Sequence, residues 1–318
     1  EMGQGLQTKV LGVAMRELGL PAESIRLMPT STDKVPNTSA TAASSGGDLN
    51  GAAVAAACTT LRERLAPVAA RLLAERSGAD VRPEEVVFAG GNVGAGPAGA
   101  VTVPFAALCK QAWIDRVGLA ATGSYRTPGL SWDWATAEGR PFYYYVPAAA
   151  VAEVEVDGYT GAHRVLRVNL VEDAGDSLNP GIDRGQIEGG FVQGMGWLTR
   201  EELRWDAYGR LLTHSASTYA IPAISDAPLD FRVTLLPAAA QPGVIHGSKA
   251  VGEPPLMAAI SVREALRDAV AAFGDGAGEV ELASPATGEA ILAAIDRVVE
   301  SRAAAGSGLA DRVRVAGG

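Results

Sequence analysis

The chain has 318 residues, 47% of them hydrophobic and 20% charged, and a formal net charge of −9. This is enough apolar material for a buried core in two domains or one large one. The acidic balance, with no Lys/Arg-rich block, argues against a nucleic-acid-binding surface, and no apolar run is long enough to span a bilayer as a helix. The two cysteines, Cys58 and Cys109, are too few and too isolated for a disulfide framework or a cysteine metal site. They read as buried thiols, as expected of a chain in a reducing, cytoplasmic compartment. His163, His214 and His246 are scattered without ligand spacing, so any metal here is not expected to be held by side chains.

The opening Glu1-Met2-Gly3-Gln4-Gly5 has no signal-peptide features and reads as the middle of a functional loop. The expectation is a chain that begins inside a larger polypeptide. Leu6 to Leu18 has helical periodicity, and Ser24 to Pro29 reads as a short strand. Val35 to Asn50 is a loop of small residues, followed by a long Ala/Leu-rich helix from Gly51 to Ala74. A strand at Glu85 to Ala89, a Gly90-Gly91-Asn92 turn and a helix over Pro104 to Val117 follow. The aromatic stretch from Ala120 to Tyr145 reads as irregular, and a composition change there marks a domain crossing near residue 140.

Ala149 to Val156, the turn Asp157-Gly158-Tyr159-Thr160-Gly161 and His163 to Ala174 form a hairpin signal. Asn179-Pro180 opens a helix over Ile182 to Leu198. A second hairpin is expected around Asp206 to Gly209, a strand at Phe231 to Leu236 and a helix over Leu256 to Phe273. After Ser301 the Ala/Gly/Arg-rich composition suggests poor order. Hairpins with helices between them indicate an α+β fold with mixed sheets, divided as residues 1–140, 141–300 and a tail at 301–318.

The segment Lys249-Ala250-Val251-Gly252-Glu253-Pro254-Pro255 places one carboxylate between a flexible glycine and two stiff prolines. A carboxylate held this way can act as a general base, whereas a lone Glu before Pro can equally be a solvated loop residue. Three other segments set polar groups among small residues. Met2-Gly3-Gln4-Gly5 leads into a helix, and reads either as an anion site at the helix amino end or as a simple turn. Thr38 to Asp48 offers main-chain donors and the hydroxyls of Thr41, Ser44 and Ser45, or else is a flexible linker. The third runs from Gly185 to Trp197, where helical glycines cost about 1 kcal/mol each relative to alanine. Such a helix packs closely on another backbone or on a planar ligand, with Gln186 and Gln193 two turns apart on one face.

Gly3-Gln4-Gly5, Val35-Pro36-Asn37-Thr38 with Thr41-Ala42-Ala43-Ser44, Gly185-Gln186-Ile187-Glu188-Gly189, Phe191-Val192-Gln193-Gly194 and Lys249 to Pro255 occur in this order. In order and spacing they resemble the C-terminal part of the molybdenum-binding region of the xanthine dehydrogenases, over residues 1 to about 275. The resemblance implies two molybdopterin-binding subdomains, the first lacking its N-terminal part and the second carrying the catalytic Glu. It implies a molybdenum ion held by the dithiolene of molybdopterin, with no directly ligating side chain and Ala43 nearest the metal. Met2, Gly3 and Gln4 match the loop beside the pterin, Thr41, Ala42, Ala43 and Ser44 the loop at the cofactor, and Gln186 a glutamine that hydrogen-bonds it. Glu253 matches the catalytic carboxylate, expected to deprotonate Mo–OH while hydride passes to the sulfido ligand.

The implied reaction is hydroxylation of purines, hypoxanthine to xanthine to urate. Iron–sulfur clusters, FAD and NAD are then expected on other chains or segments. Other expected partners are the remaining N-terminal molybdenum-domain segment and a second copy of the assembly, the chain being inactive alone. The double proline after Glu253 resembles the purine enzymes more than the aldehyde oxidases of the same superfamily. An aldehyde or other N-heterocycle hydroxylase, and a non-catalytic assembly subunit, are the competing readings. A nucleotide-binding module lacks both the P-loop and the G-x-G-x-x-G pattern it would need.

Overall fold

The computed structural model describes residues 1–34, 41, 44–96, 101–274, 276 and 279–315, with side chains as far as residue 303. The chain forms two compact units. One comprises Glu1–Tyr145, Ala174–Asp183 and Pro237–Ala250, and the other Val146–Asp173, Arg184–Leu236 and Val251–Gly318.

In the first unit α1 (Leu6–Leu18) covers the residues expected from its periodicity, and Gly19 in the left-handed conformation closes it by donating its N–H to Met15 O. Helix α2 (Gly46–Ser77) begins earlier than the sequence suggests, taking in the last glycines of the small-residue loop. Its Leu65, Val68, Ala69 and Leu73 form a buried core with Val86, Val93, Val103 and Leu108. Val86 precedes β1 (Val87–Ala89), which forms an antiparallel sheet with β2 (Asn92–Gly94) and β3 (Thr102–Pro104); Val93 and Val103 come from β2 and β3, and Leu108 from α3 (Phe105–Ile114). Cys58 is buried in α2 and Cys109 half-buried in α3, and burial raises both thiol pKa values.

Two expectations in this unit are corrected. Ser24 to Pro29 is not a strand: a single 3-10 turn at Ala22–Ser24 runs into extended chain that no described strand pairs with, and a strand needs its ladder. The aromatic stretch expected to be irregular contains a short hairpin, β4 (Ser131–Asp133) with β5 (Glu138–Arg140).

The second unit is built on the sheet β6-β7-β8. Strands β6 (Ala148–Val156) and β7 (His163–Glu172) form the expected hairpin, with a register shift at Glu153/Val154. Strand β8 (Asp230–Leu235) joins β7 in parallel, so the sheet is mixed. A parallel neighbour requires a crossover, and α4 (Pro180–Thr199) lies within it. Asn179 caps α4, its side-chain oxygen accepting the Ile182 N–H at 3.1 Å, with Pro180 at the first helical position. Phe191 of α4 is fully buried, its ring centroid 5.2 Å from that of Phe231 on β8.

The second expected hairpin reduces to one bridge, Trp205 with Leu211, around a turn in which the Asp206 carboxylate accepts the N–H groups of Tyr208 and Arg210. The turn chemistry is there, but strands do not extend from it. The helix expected over Leu256 to Phe273 is divided at Ala259 into α5 (Pro255–Ala258) and α6 (Ile260–Ala271), and α6 packs on β6. Helix α7 (Gly288–Val315) runs on past Ser301.

Replacing Phe191 with alanine is expected to cost about 3–5 kcal/mol, read from the urea midpoint at unchanged slope. His163 gives a pH dependence. Burial and the charge of Arg200 push its pKa below the ordinary 6.5, with Asp226 opposing. The unfolded chain then takes up the proton more readily, so the contribution to stability is full above 6.5 and falls away as the pH drops through that value. The thermal midpoint should fall between about pH 7.5 and about pH 5.5, less steeply in His163→Gln.

Candidate functional site

In the first unit the amino ends of three helices meet. A Cβ built on Gly5, which precedes α1, would stand 2.8 Å from Ile182 in the first turn of α4. A Cβ on Gly46, the first residue of α2, would stand 2.8 Å from Leu6 Cδ2 and 3.4 Å from Thr41 Cγ2. A side chain at Gly5 or Gly46 would have to displace Ile182 or Leu6, and the dipoles of α1 and α2 present their positive ends to this region. An anion is favoured there, and an acidic side chain already exploits it: the Glu1 carboxylate accepts the N–H groups of Gly5 and Gln7.

The Met2–Gln4 loop and the Thr41/Ser44 loop, singled out separately in the sequence, both lead into this region. Met2 is almost wholly exposed, and Gln4 turns its amide oxygen back to accept the Met2 N–H at 2.6 Å. Ser44 takes a positive φ of 51°. Ala42 and Ala43 lie outside the described residues.

Beneath these loops are polar groups the sequence reading missed. Lys9 of α1 pairs with Asp183 of α4, which is 1% exposed and accepts a hydrogen bond from Ser177 Oγ at 2.5 Å. Asp48, in the first turn of α2, accepts the Tyr144 hydroxyl at 2.6 Å, and the same hydroxyl oxygen accepts the Ala250 N–H at 2.7 Å. Burial raises the Asp48 pKa against the effect of the Tyr144 hydrogen bond, and burial together with Asp48 raises that of Tyr144. No sequence signal marks these residues, because the partners stand far apart in the chain and each alone is an ordinary polar residue.

The run leading to Glu253 is fastened residue by residue. Ser248 bridges Gly175, the Lys249 N–H donates to Ala174 O at 3.0 Å, and the Ala250 N–H goes to Tyr144. Lys249 Nζ donates to Tyr145 O at 3.1 Å and lies 6.0 Å from the centroid of the Tyr144 ring.

In the second unit the glycine-rich helix packs on another backbone at two of its glycines. A Cβ on Gly190 would sit 2.9 Å from Gly252 O, and one on Gly194 would sit 2.3 Å from Leu256 O. Helix α4 therefore backs directly onto the backbone either side of Glu253. The glycine cost expected from propensity is offset by this approach. Gly185 and Gly189, on another side of the helix, have nothing within 4 Å of a built Cβ. Gln186 lies one turn before Gly190 and is half-buried, while Gln193 is exposed.

Glu253 is exposed, at the bend that opens α5, and its carbonyl accepts the Leu256 N–H at 3.1 Å. Pro254 follows in helical conformation. The result is a carboxylate on a short, stiff segment set against a helix.

Among the described residues no group of His, Cys, Asp or Glu has the spacing to hold a metal ion. What the first unit offers is main-chain donors, small side chains, neutral amides and converging helix ends. That donor set fits an anionic, hydrogen-bonding organic group that carries its own metal ligands.

A family model described as the molybdopterin cofactor-binding domain matches residues 1–228. The chain is 42% identical over 311 residues to the xanthine dehydrogenase of Oryza sativa subsp. japonica, covering 94% of this chain and 21% of that protein. To the xanthine dehydrogenase/oxidase of Rattus norvegicus it is 44% identical over 296 residues, covering 92% of this chain and 20% of that protein. The chain thus spans about one-fifth of the length of the curated relatives it matches. Among solved structures, quinoline 2-oxidoreductase from Pseudomonas putida 86 superposes with a TM-score of 0.77 at 29% identity, over 95% of this chain and 36% of that one. A Cu,Mo-CO dehydrogenase shares the fold with a TM-score of 0.76 at 22% identity, over 94% of this chain and 35% of that one. The α+β architecture expected from the sequence is the one these enzymes have, and the chain belongs to the molybdopterin cofactor-binding domain family.

Proposed function

We propose that this chain is part of a molybdenum hydroxylase that oxidises purines, hypoxanthine to xanthine and xanthine to urate, with Glu253 as its general base. The observation that carries the reading is the Gly252-Glu253-Pro254-Pro255 segment, a carboxylate whose flanking backbone is held against the glycines of α4. Identity above 40% to proteins named as xanthine dehydrogenases supports the substrate class. When bound, the molybdopterin group supplies a two-electron acceptor and the oxygen destined for the electron-poor carbon.

The chain's own residues do the rest. Main-chain amides at the amino ends of α1 and α2, with Gln4, Thr41 and Ser44, bind and orient the group, and Gln186 gives a further amide. Ala42 and Ala43 belong to the same loop in this reading. Glu253 takes up the proton that the attacking oxygen loses, for which it must be ionised and oriented. Iron–sulfur, FAD and NAD sites fall to the remaining polypeptide, in a dimeric cytoplasmic assembly. A second reading, hydroxylation of another N-heterocycle at the same site, is favoured by the match to quinoline 2-oxidoreductase.

In the assembled enzyme, Glu253→Gln should keep its molybdenum and pterin content and lose about 100-fold or more in urate formation from xanthine. Full turnover at matched metal content would remove Glu253 as the base. A fully metallated wild type that oxidises quinoline-like heterocycles or aldehydes but not xanthine would move the substrate and leave the base in place. Gly194→Ala must displace the backbone at Leu256, and a shift of about 1 Å at the base is expected to cost about 100-fold in kcat. Steady-state kinetics at matched molybdenum content checks this, with little change in KM expected.

A further inference from the structure

The Tyr144 hydroxyl makes two hydrogen bonds, and the two partners have different places in the chemistry. It donates to Asp48 Oδ2 at 2.6 Å and accepts from the Ala250 N–H at 2.7 Å. Asp48 sits in the first turn of α2, four residues after Ser44 of the cofactor loop. Ala250 stands three residues before Glu253. The backbone N–H of Ala250 thus ends on a side chain rather than on another strand, in a run whose neighbouring residues are zipped to 174–176 by main-chain bonds.

Resting on the function proposed above, we infer that Tyr144 is a positioning residue. Its hydroxyl fixes the backbone at Ala250, three residues before Glu253 in the chain, to the helix that follows the cofactor loop.

Three features make the anchor stiff. The ring is held from below by Lys249, whose ammonium lies over its face and is itself tied to Tyr145 O. The hydroxyl is partly buried, so its hydrogen bonds are not exchanged freely with water. Asp48 carries a raised pKa through burial, and Tyr144 one raised by burial and by Asp48, as befits a desolvated donor–acceptor pair. None of these groups reaches the reacting atoms in this inference, and the effect on chemistry passes through the backbone.

The test compares Tyr144→Phe, Asp48→Asn and wild type in the assembled enzyme. Tyr144→Phe keeps the ring and removes both hydrogen bonds. Asp48→Asn keeps an oxygen that can accept from the hydroxyl, so it is the conservative control. Hydrogen exchange of peptides covering residues 247–253 should rise about tenfold in Tyr144→Phe and stay near wild type in Asp48→Asn. At matched molybdenum content, kcat in Tyr144→Phe should fall about 10-fold to 100-fold while KM moves little, with Asp48→Asn close to wild type.

Unchanged exchange and unchanged kcat in Tyr144→Phe would overturn the inference. So would a lower thermal midpoint with wild-type kcat, which would make the bond merely structural. If Tyr144→Phe does not fold, Asp48→Ala removes one end of the anchor and should shift exchange and kcat in the same direction. The exchange arm needs no substrate, and kcat is read on whichever heterocycle or aldehyde the wild type oxidises. Failure of the purine assignment is therefore separate from failure of the anchor.

Discussion

The close approach of α4 to the backbone of residues 252–256 is the constraint on which the placement of Glu253 depends. Gly190 and Gly194 face carbonyl oxygens at distances that no side chain can share. A helix with several glycines is weak by propensity, and α4 is kept helical by what surrounds it. Asn179 and Pro180 start it, and Phe191 and Ile187 bury its apolar side. Those groups bear the packing, which leaves the glycines free to bring two backbones together.

The first unit uses polar groups for a related purpose. Lys9 and Ser177 form a cluster around the buried Asp183, and Asp48, Tyr144 and the Ala250 amide form a partly buried one. Buried ion pairs are weak sources of net stability, because desolvation cancels much of the attraction. They do specify geometry, since breaking one leaves a charge without a partner in low dielectric. Here they fix the amino ends of α1, α2 and α4 in register. That is the end of each helix where an anion gains from the dipole. Side chains that would compete for the same space are absent at Gly5 and Gly46.

Much of this was legible in the sequence, for reasons that differ by element. Helix α1 could be read to the residue, because an amphipathic run lies between Gly5 and Gly19. The β6–β7 hairpin showed in alternation and in the Asp157–Gly161 turn. Strands β2 and β3 were missed because three residues each give no period to detect. The parallel pairing of β8 with β7 is a tertiary fact with no local mark. The bend at Glu253 was legible from its Gly and Pro neighbours, whereas the roles proposed for Glu253 and Gln186 rest on the family resemblance. The roles of the α4 glycines were not legible, since packing on a backbone and packing on a planar ligand demand the same small residues. Tyr144 and Asp48 lie 96 residues apart and declare themselves only once the chain is folded.

The crossover that carries α4 from β7 to β8 has a consequence for how this chain can vary in length. Gln186, Gly190 and Gly194 occupy successive turns on one side of a helix, so their alignment is a matter of angular phase. One residue inserted between Gln186 and Gly190 would rotate everything after it by about 100° and put the Gln193 side chain where Gly194 now faces Leu256 O. Loops at either end of the helix can absorb extra residues without this penalty. The interval from Gln186 to Gly194 cannot, and it acts as a ruler whose length, more than its composition, is fixed by the segment it supports.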